Sequence, residues 1–83
     1  MGNRKERIGL DSEKRPIFTG DKVEVIEEEE RRQGRDEYAF CSRGKTGVAV
    51  GGILEGVLVV RFQDGQIERR VGCNEKNLRK LFL

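Results

Sequence analysis

Gly44, Lys45 and Thr46 stand in the order that ends a phosphate-binding loop, in which glycine-rich backbone and a lysine cradle phosphates. That chemistry needs a further Gly five positions before Gly44, and Ala39 stands there. It also needs a helix to follow, whose free amides would face the anion, whereas Val48, Ala49 and Val50 spell a strand. Neither a P-loop nor a dinucleotide-binding GxGxxG spacing is present. The chain has no His, which removes the commonest general base and every nucleophile constellation built on it. Asp36 and Glu37 are adjacent in a charged segment, with nothing to desolvate them into an acid/base pair. Cys41 and Cys73 are the only cysteines. A structural zinc site ordinarily takes four Cys or His ligands, so no metal is expected and the two thiols are expected buried and reduced. The expectation is a protein that binds, with no enzyme activity and no cofactor.

The residues left to carry function are cations. Arg43 and Lys45 in one turn, Arg69 and Arg70 in a hairpin, and Lys76, Arg79 and Lys80 near the end would neutralise phosphates if they converged on one rim. Tyr38 and Phe40 would then offer rings for base stacking. Arg4, Lys5, Arg7, Lys14 and Arg15 add a basic N-terminal segment. Against this, the net charge is only +2, and the block Glu27 to Glu30 would repel phosphate on the same face.

Those side chains need strands to hold them. Residues 1–16 show neither helical nor strand periodicity and are expected as a flexible basic arm, ended by Pro16, with the folded domain over 17–83. Lys22 to Ile26 alternates, with Val23 and Val25 on one face, and predicts a half-buried strand. Glu27 to Arg35 (EEEERRQGR) has no apolar face and predicts a solvated loop, or a helical turn held by Glu27 with Arg31 and Glu28 with Arg32. Tyr38 to Cys41 predicts a short strand that closes this loop. Val48 to Leu54 is a strand broken by Gly51 and Gly52, a pair that marks a bulge or bend. Val57 to Phe62 and Gln66 to Val71 form a hairpin about Asp64 and Gly65. Its predicted register sets Gln63 opposite Gln66, Phe62 opposite Ile67, Arg61 opposite Glu68 and Val60 opposite Arg69. Leu58, Phe62, Ile67 and Val71 then face the core, and Arg69 snorkels out of it. Asn74 to Leu83 predicts a short helical or 3₁₀ turn leading into a last strand, with Leu78 and Leu81 closing the core.

With the strands placed, the order Gly20 to Val25 (GDKVEV), Arg43 to Val48 (RGKTGV), Val59 to Gly65 (VVRFQDG) and Asn77 with Leu78 resembles the SH3-like small barrels of KOW type. Such barrels occur in ribosomal proteins and transcription elongation factors. The resemblance spans Phe18 to Leu81 and implies a five-stranded barrel that contacts RNA or ribonucleoprotein. The same order is similar to the barrel of nitrile hydratase β subunits, without that family's long insertion or metal-claw cysteines; that likeness implies an accessory, protein-binding barrel. Tudor-like barrels are a third relative, but their aromatic cage has only Tyr38 and Phe40 as candidates here.

Length and composition agree with a single small domain. A chain of 83 residues buries only about 60 to 65% of its unfolded surface, so its core is thin. The 39% charged residues fit such a core with solvated loops. No apolar run approaches the roughly 20 residues of a membrane span, and Met1 to Leu10 lacks the apolar stretch of a secretory signal. A cytoplasmic protein with a nucleic-acid partner is expected. The alternative is a protein partner, met by the charged loop 27–37 and a strand edge.

Overall fold

The computed structural model describes residues 6–33 and 37–82, apart from the side chains of 30–33, 37–40 and 64. In chain order the described elements are β1 (Arg7–Leu10), β2 (Pro16–Phe18), β3 (Lys22–Val25), β4 (Glu29–Gln33), β5 (Glu37–Cys41), β6 (Thr46–Leu54), β7 (Val57–Asp64) and β8 (Ile67–Asn74). A 3₁₀ turn over Glu75–Asn77 then leads into β9 (Leu78–Lys80). None of them is a helix long and apolar enough to cross a membrane.

Five strands form an antiparallel sheet in the order β8-β7-β6-β3-β9, flanked by the separate pairs β1-β2 and β4-β5. The outer strands β8 and β9 do not pair, so hydrogen bonding does not close the sheet into the expected barrel. The chain is mainly β, with a core built where alternation puts apolar side chains on one face. Val23 and Val25 of β3, Leu58, Val60 and Phe62 of β7, Val71 and Cys73 of β8 and Leu78 of β9 are all buried. Ile17 of β2 joins them, and Ile8 of β1 packs against the cluster.

β6 bends where its glycines are: pairing with β7 shifts between Ala49 and Gly51 and again between Gly52 and Leu54. Gly47, directly opposite Val23, has a different task. A Cβ there would lie 2.7 Å from the Arg61 carbonyl oxygen, 2.7 Å from Val60 Cγ1 and 2.9 Å from Phe62 Cδ1. The first of these is backbone and yields only by parting β6 from β7. Gly47→Ala is therefore expected to lower the unfolding free energy by about 1 to 3 kcal/mol, read as a lower urea midpoint at unchanged slope.

The β7-β8 hairpin exists, but its loop is Gly65 and Gln66. Asp64 faces Ile67, Gln63 faces Glu68, Phe62 faces Arg69, Arg61 faces Arg70 and Val60 faces Val71. Gly65, at φ 63°, takes the first loop position, where a type II′ turn places its glycine. Relative to the predicted register β8 has moved by two residues, so each side chain keeps its face while its partner changes. Ile67 is consequently carried past the end of the core and is 64% exposed. The expected Arg61–Glu68 pair survives as a diagonal contact, Nε to Oε1 3.9 Å.

Two segments differ from expectation. Glu29–Gln33 is a strand, neither the expected loop nor a helical turn, because its backbone pairs with Glu37–Cys41. The segment expected as an arm carries the β1-β2 hairpin from Arg7 on, held to the sheet by Asp11. The Asp11 side chain is wholly excluded from solvent. Its Oδ1 accepts from the backbone N–H of Glu13 (2.9 Å) and Arg15 (2.8 Å), and its Oδ2 from that of Lys80 (2.8 Å) and from Arg15 Nε (3.1 Å). One carboxylate thus closes the turn of the hairpin and ties it to β9.

Candidate binding surfaces

The seven predicted phosphate-binding cations do not gather on one rim. Arg43 is exposed in the turn before β6, beside Gly44 at φ 89°. Arg79 of β9 projects to the same place, and the two line an open groove with Glu24, Val25, Ile26 and Gly44. Glu24 ion-pairs with Arg79 there, which removes much of that cation's appeal to a phosphate. Lys45 is half-buried, with Nζ 6.0 Å from the centre of the Phe62 ring. Lys76 is exposed on the 3₁₀ turn, whose first residue follows the capping Asn74.

Lys80 is structural. Its side chain is only 15% exposed, and Nζ sits 3.2 Å from Asp21 Oδ2 and 3.0 Å from the Pro16 carbonyl oxygen. Its ammonium also lies 5.2 Å from the Phe18 ring and 5.2 Å from the Phe82 ring. Arg15 Cζ approaches Phe82 at 5.0 Å, so this exposed ring packs against two cations.

Arg69 and Arg70 belong to β8, at the other outer edge of the sheet from Arg79 and Lys80. Successive residues of a strand point to opposite faces, so these two cannot serve one phosphate track together. Arg70 Nε stands 3.4 Å from Glu68 Oε2 on its own strand. Of the stacking candidates, the backbone of Tyr38 lies opposite Arg32 and that of Phe40 opposite Glu30. The side chains of both lie outside the described part of the structure, as do residues 34–36 of the charged loop.

Sequence reasoning missed two constellations. Asp11 begins an Asx turn, signalled by DSEKR: an Asp whose side chain bonds the amide two residues on, and Lys14 at φ 62°. The second is Glu29, Cys41 and Cys73, which the fold brings together as the described group able to offer three ligand atoms to a metal ion. No local spacing announces it, because Cys41 and Cys73 are 32 residues apart.

Among the described residues the large exposed apolar side chains are Ile53 and Leu54 at the tip of β6, Ile67 at the start of β8, and Phe82 beyond β9. β8 combines such a residue with an outer position in the sheet. Ile67, Glu68, Arg69 and Arg70 are all exposed, while Val71 to Cys73 are buried. Compared with family models, with curated proteins and with solved structures, the chain matches none.

Proposed function

We propose that this chain is a non-catalytic binding module, an SH3-like small barrel of KOW type, that takes an extended protein segment along the outer edge of β8. The observation that carries the reading is the first half of β8: four exposed residues, beginning with Ile67, on a strand at the outer position of the five-stranded sheet. Such an edge offers backbone donors and acceptors to an added strand, while side chains set specificity. Ile67 and Arg69 lie on one face and Glu68 and Arg70 on the other. The matching segment is extended, with an apolar residue beside Ile67. Charges elsewhere are interspersed in pairs, Arg79 with Glu24 and Lys80 with Asp21, a pattern that favours a protein partner over a polyanion.

The strand order supports the barrel part of this reading, since a bent β6 lets one five-stranded sheet fold over its own core. A second reading, contact with RNA or ribonucleoprotein, draws on the groove where Arg43 and Arg79 meet.

Fluorescence anisotropy with labelled extended peptides of alternating apolar and polar residues, and with single-stranded RNA, separates the two. The expected result is micromolar peptide binding, weakened at least about tenfold by Ile67→Lys, a change worth about 1.4 kcal/mol. Arg43→Ala with Arg79→Ala should leave it unchanged. RNA binding that falls steeply with salt and is lost in that double variant would replace the first reading with the second.

A further inference from the structure

We infer that Glu29, Cys41 and Cys73 form a binding site for a thiophilic divalent cation of the zinc type. Cys41 ends β5 and Cys73 lies on the inner face of β8, opposite Leu58. Both are buried, and their Sγ atoms approach to 3.0 Å. Glu29 begins β4 directly opposite Cys41, and residues directly opposite in an antiparallel pair put their side chains on the same face. One ligand atom from each of the three lies within 4.8 Å of the others.

The carboxylate is already oriented. Glu29 accepts the backbone N–H of Asn74 at 2.9 Å through Oε2 and at 3.3 Å through Oε1, and Asn77 Nδ2 reaches Oε2 at 3.5 Å. Metal-binding carboxylates are held by an outer shell of this kind. Asn74 follows Cys73 in the chain, so the donor that fixes the carboxylate moves with one of the sulfurs.

The ligand set also fits by size and chemistry. Two sulfurs at about 2.3 Å from a tetrahedral ion stand about 3.8 Å apart, so the pair opens by less than about 1 Å to admit it. Thiolate donors select soft or borderline cations over magnesium and calcium. Binding releases one proton from each thiol to water, and two thiolates and a carboxylate then surround a dication, leaving a net charge of −1. Affinity therefore rises with pH. The ion would fasten the β4-β5 hairpin to β8.

The test is titration of the reduced, chelator-treated 83-residue chain with Co²⁺, followed by its thiolate-to-metal charge-transfer absorption. A band that saturates at one equivalent and is displaced by Zn²⁺ is expected. Cys73→Ser should abolish it. Glu29→Gln, which keeps both thiols and an acceptor for Asn74, should weaken binding about tenfold or more while far-UV circular dichroism stays unchanged. Absence of the band in the folded, reduced wild type overturns the inference. So does cobalt uptake without the band, which places the metal on carboxylates elsewhere. A mass two hydrogens lower after reductant removal, with no metal uptake by the reduced form, would instead make the pair a disulfide.

Discussion

Asp11→Ala is expected to lower the unfolding free energy by about 3 to 5 kcal/mol at neutral pH, the range for removing one partner of a buried charged network. The carboxylate is the acceptor for three backbone N–H groups and the Arg15 guanidinium, and alanine leaves all four donors without it. Burial pushes the Asp11 carboxyl up, but the N–H groups of Lys80, Arg15 and Glu13 and the charge of Arg15 outweigh it and hold it below the ordinary value. A folded-state value below the unfolded one means the native state binds fewer protons. The contribution is therefore complete above the unfolded value of about 3.9 and is lost as pH falls through the lower folded value. Urea unfolding from pH 7 to pH 2 should show the gap between wild type and variant narrowing at the acid end. A gap that stays constant to pH 2 would mean the charge of Asp11 contributes nothing. Hydrogen exchange adds a second readout: residues 7–18 should lose protection in the variant before the five-stranded sheet does.

Leu58→Ala is expected to cost about 2 to 5 kcal/mol, the range for emptying a buried leucine site. Leu58 is 1% exposed and stands opposite Cys73 on β7, a strand paired on both sides. Its Cδ2 would be 2.9 Å from a Cβ on Gly9 and Glu75 Oε1 2.8 Å, so β1 rests on both side chains. Domains hold about 0.05 to 0.15 kcal/mol per residue, so for a chain of 83 residues this one loss consumes a large share of the total. The variant should be largely unfolded well below the wild-type melting temperature. Leu58→Met, which conserves volume, should cost less than about 1.5 kcal/mol. Equal losses for the two substitutions would show that shape at this site, not the cavity, governs the effect.

What the sequence discloses follows from how local the cause is. Val23 and Val25 alternate with charged residues, and the burial of both follows from that pattern alone. Gly51 and Gly52 mark, in the same local way, the stretch of β6 where pairing with β7 shifts. The turn of the β7-β8 hairpin was ambiguous because Asp64-Gly65 and Gly65-Gln66 both close two-residue loops. Moving between them preserves the faces but shifts Ile67 off the core. EEEERRQGR carries charges at helical spacing, yet its strand arises from pairing with Glu37–Cys41. Asp11 was hidden because its decisive partner, the Lys80 amide, lies 69 residues away.

The candidate site was less legible still. A cation's type says that it can meet a phosphate, not whether a carboxylate is already beside it. Arg79 has Glu24 and Lys80 has Asp21, pairings that the placing of β9 beside β3 creates, and Arg70 has Glu68 two residues back on its own strand. The edge position of β8 is likewise a property of sheet order, which no single strand encodes.

The most direct test of the proposed function is backbone amide chemical-shift mapping of the isotopically labelled chain against the tightest extended peptide. The account predicts that the largest shifts fall on Ile67 to Arg70, with new protection of amides there from hydrogen exchange and none at Arg43 or Arg79. Shifts centred on Arg43, Gly44 and Arg79, with β8 unmoved, would contradict it and place binding in the groove between β3, β9 and the turn before β6.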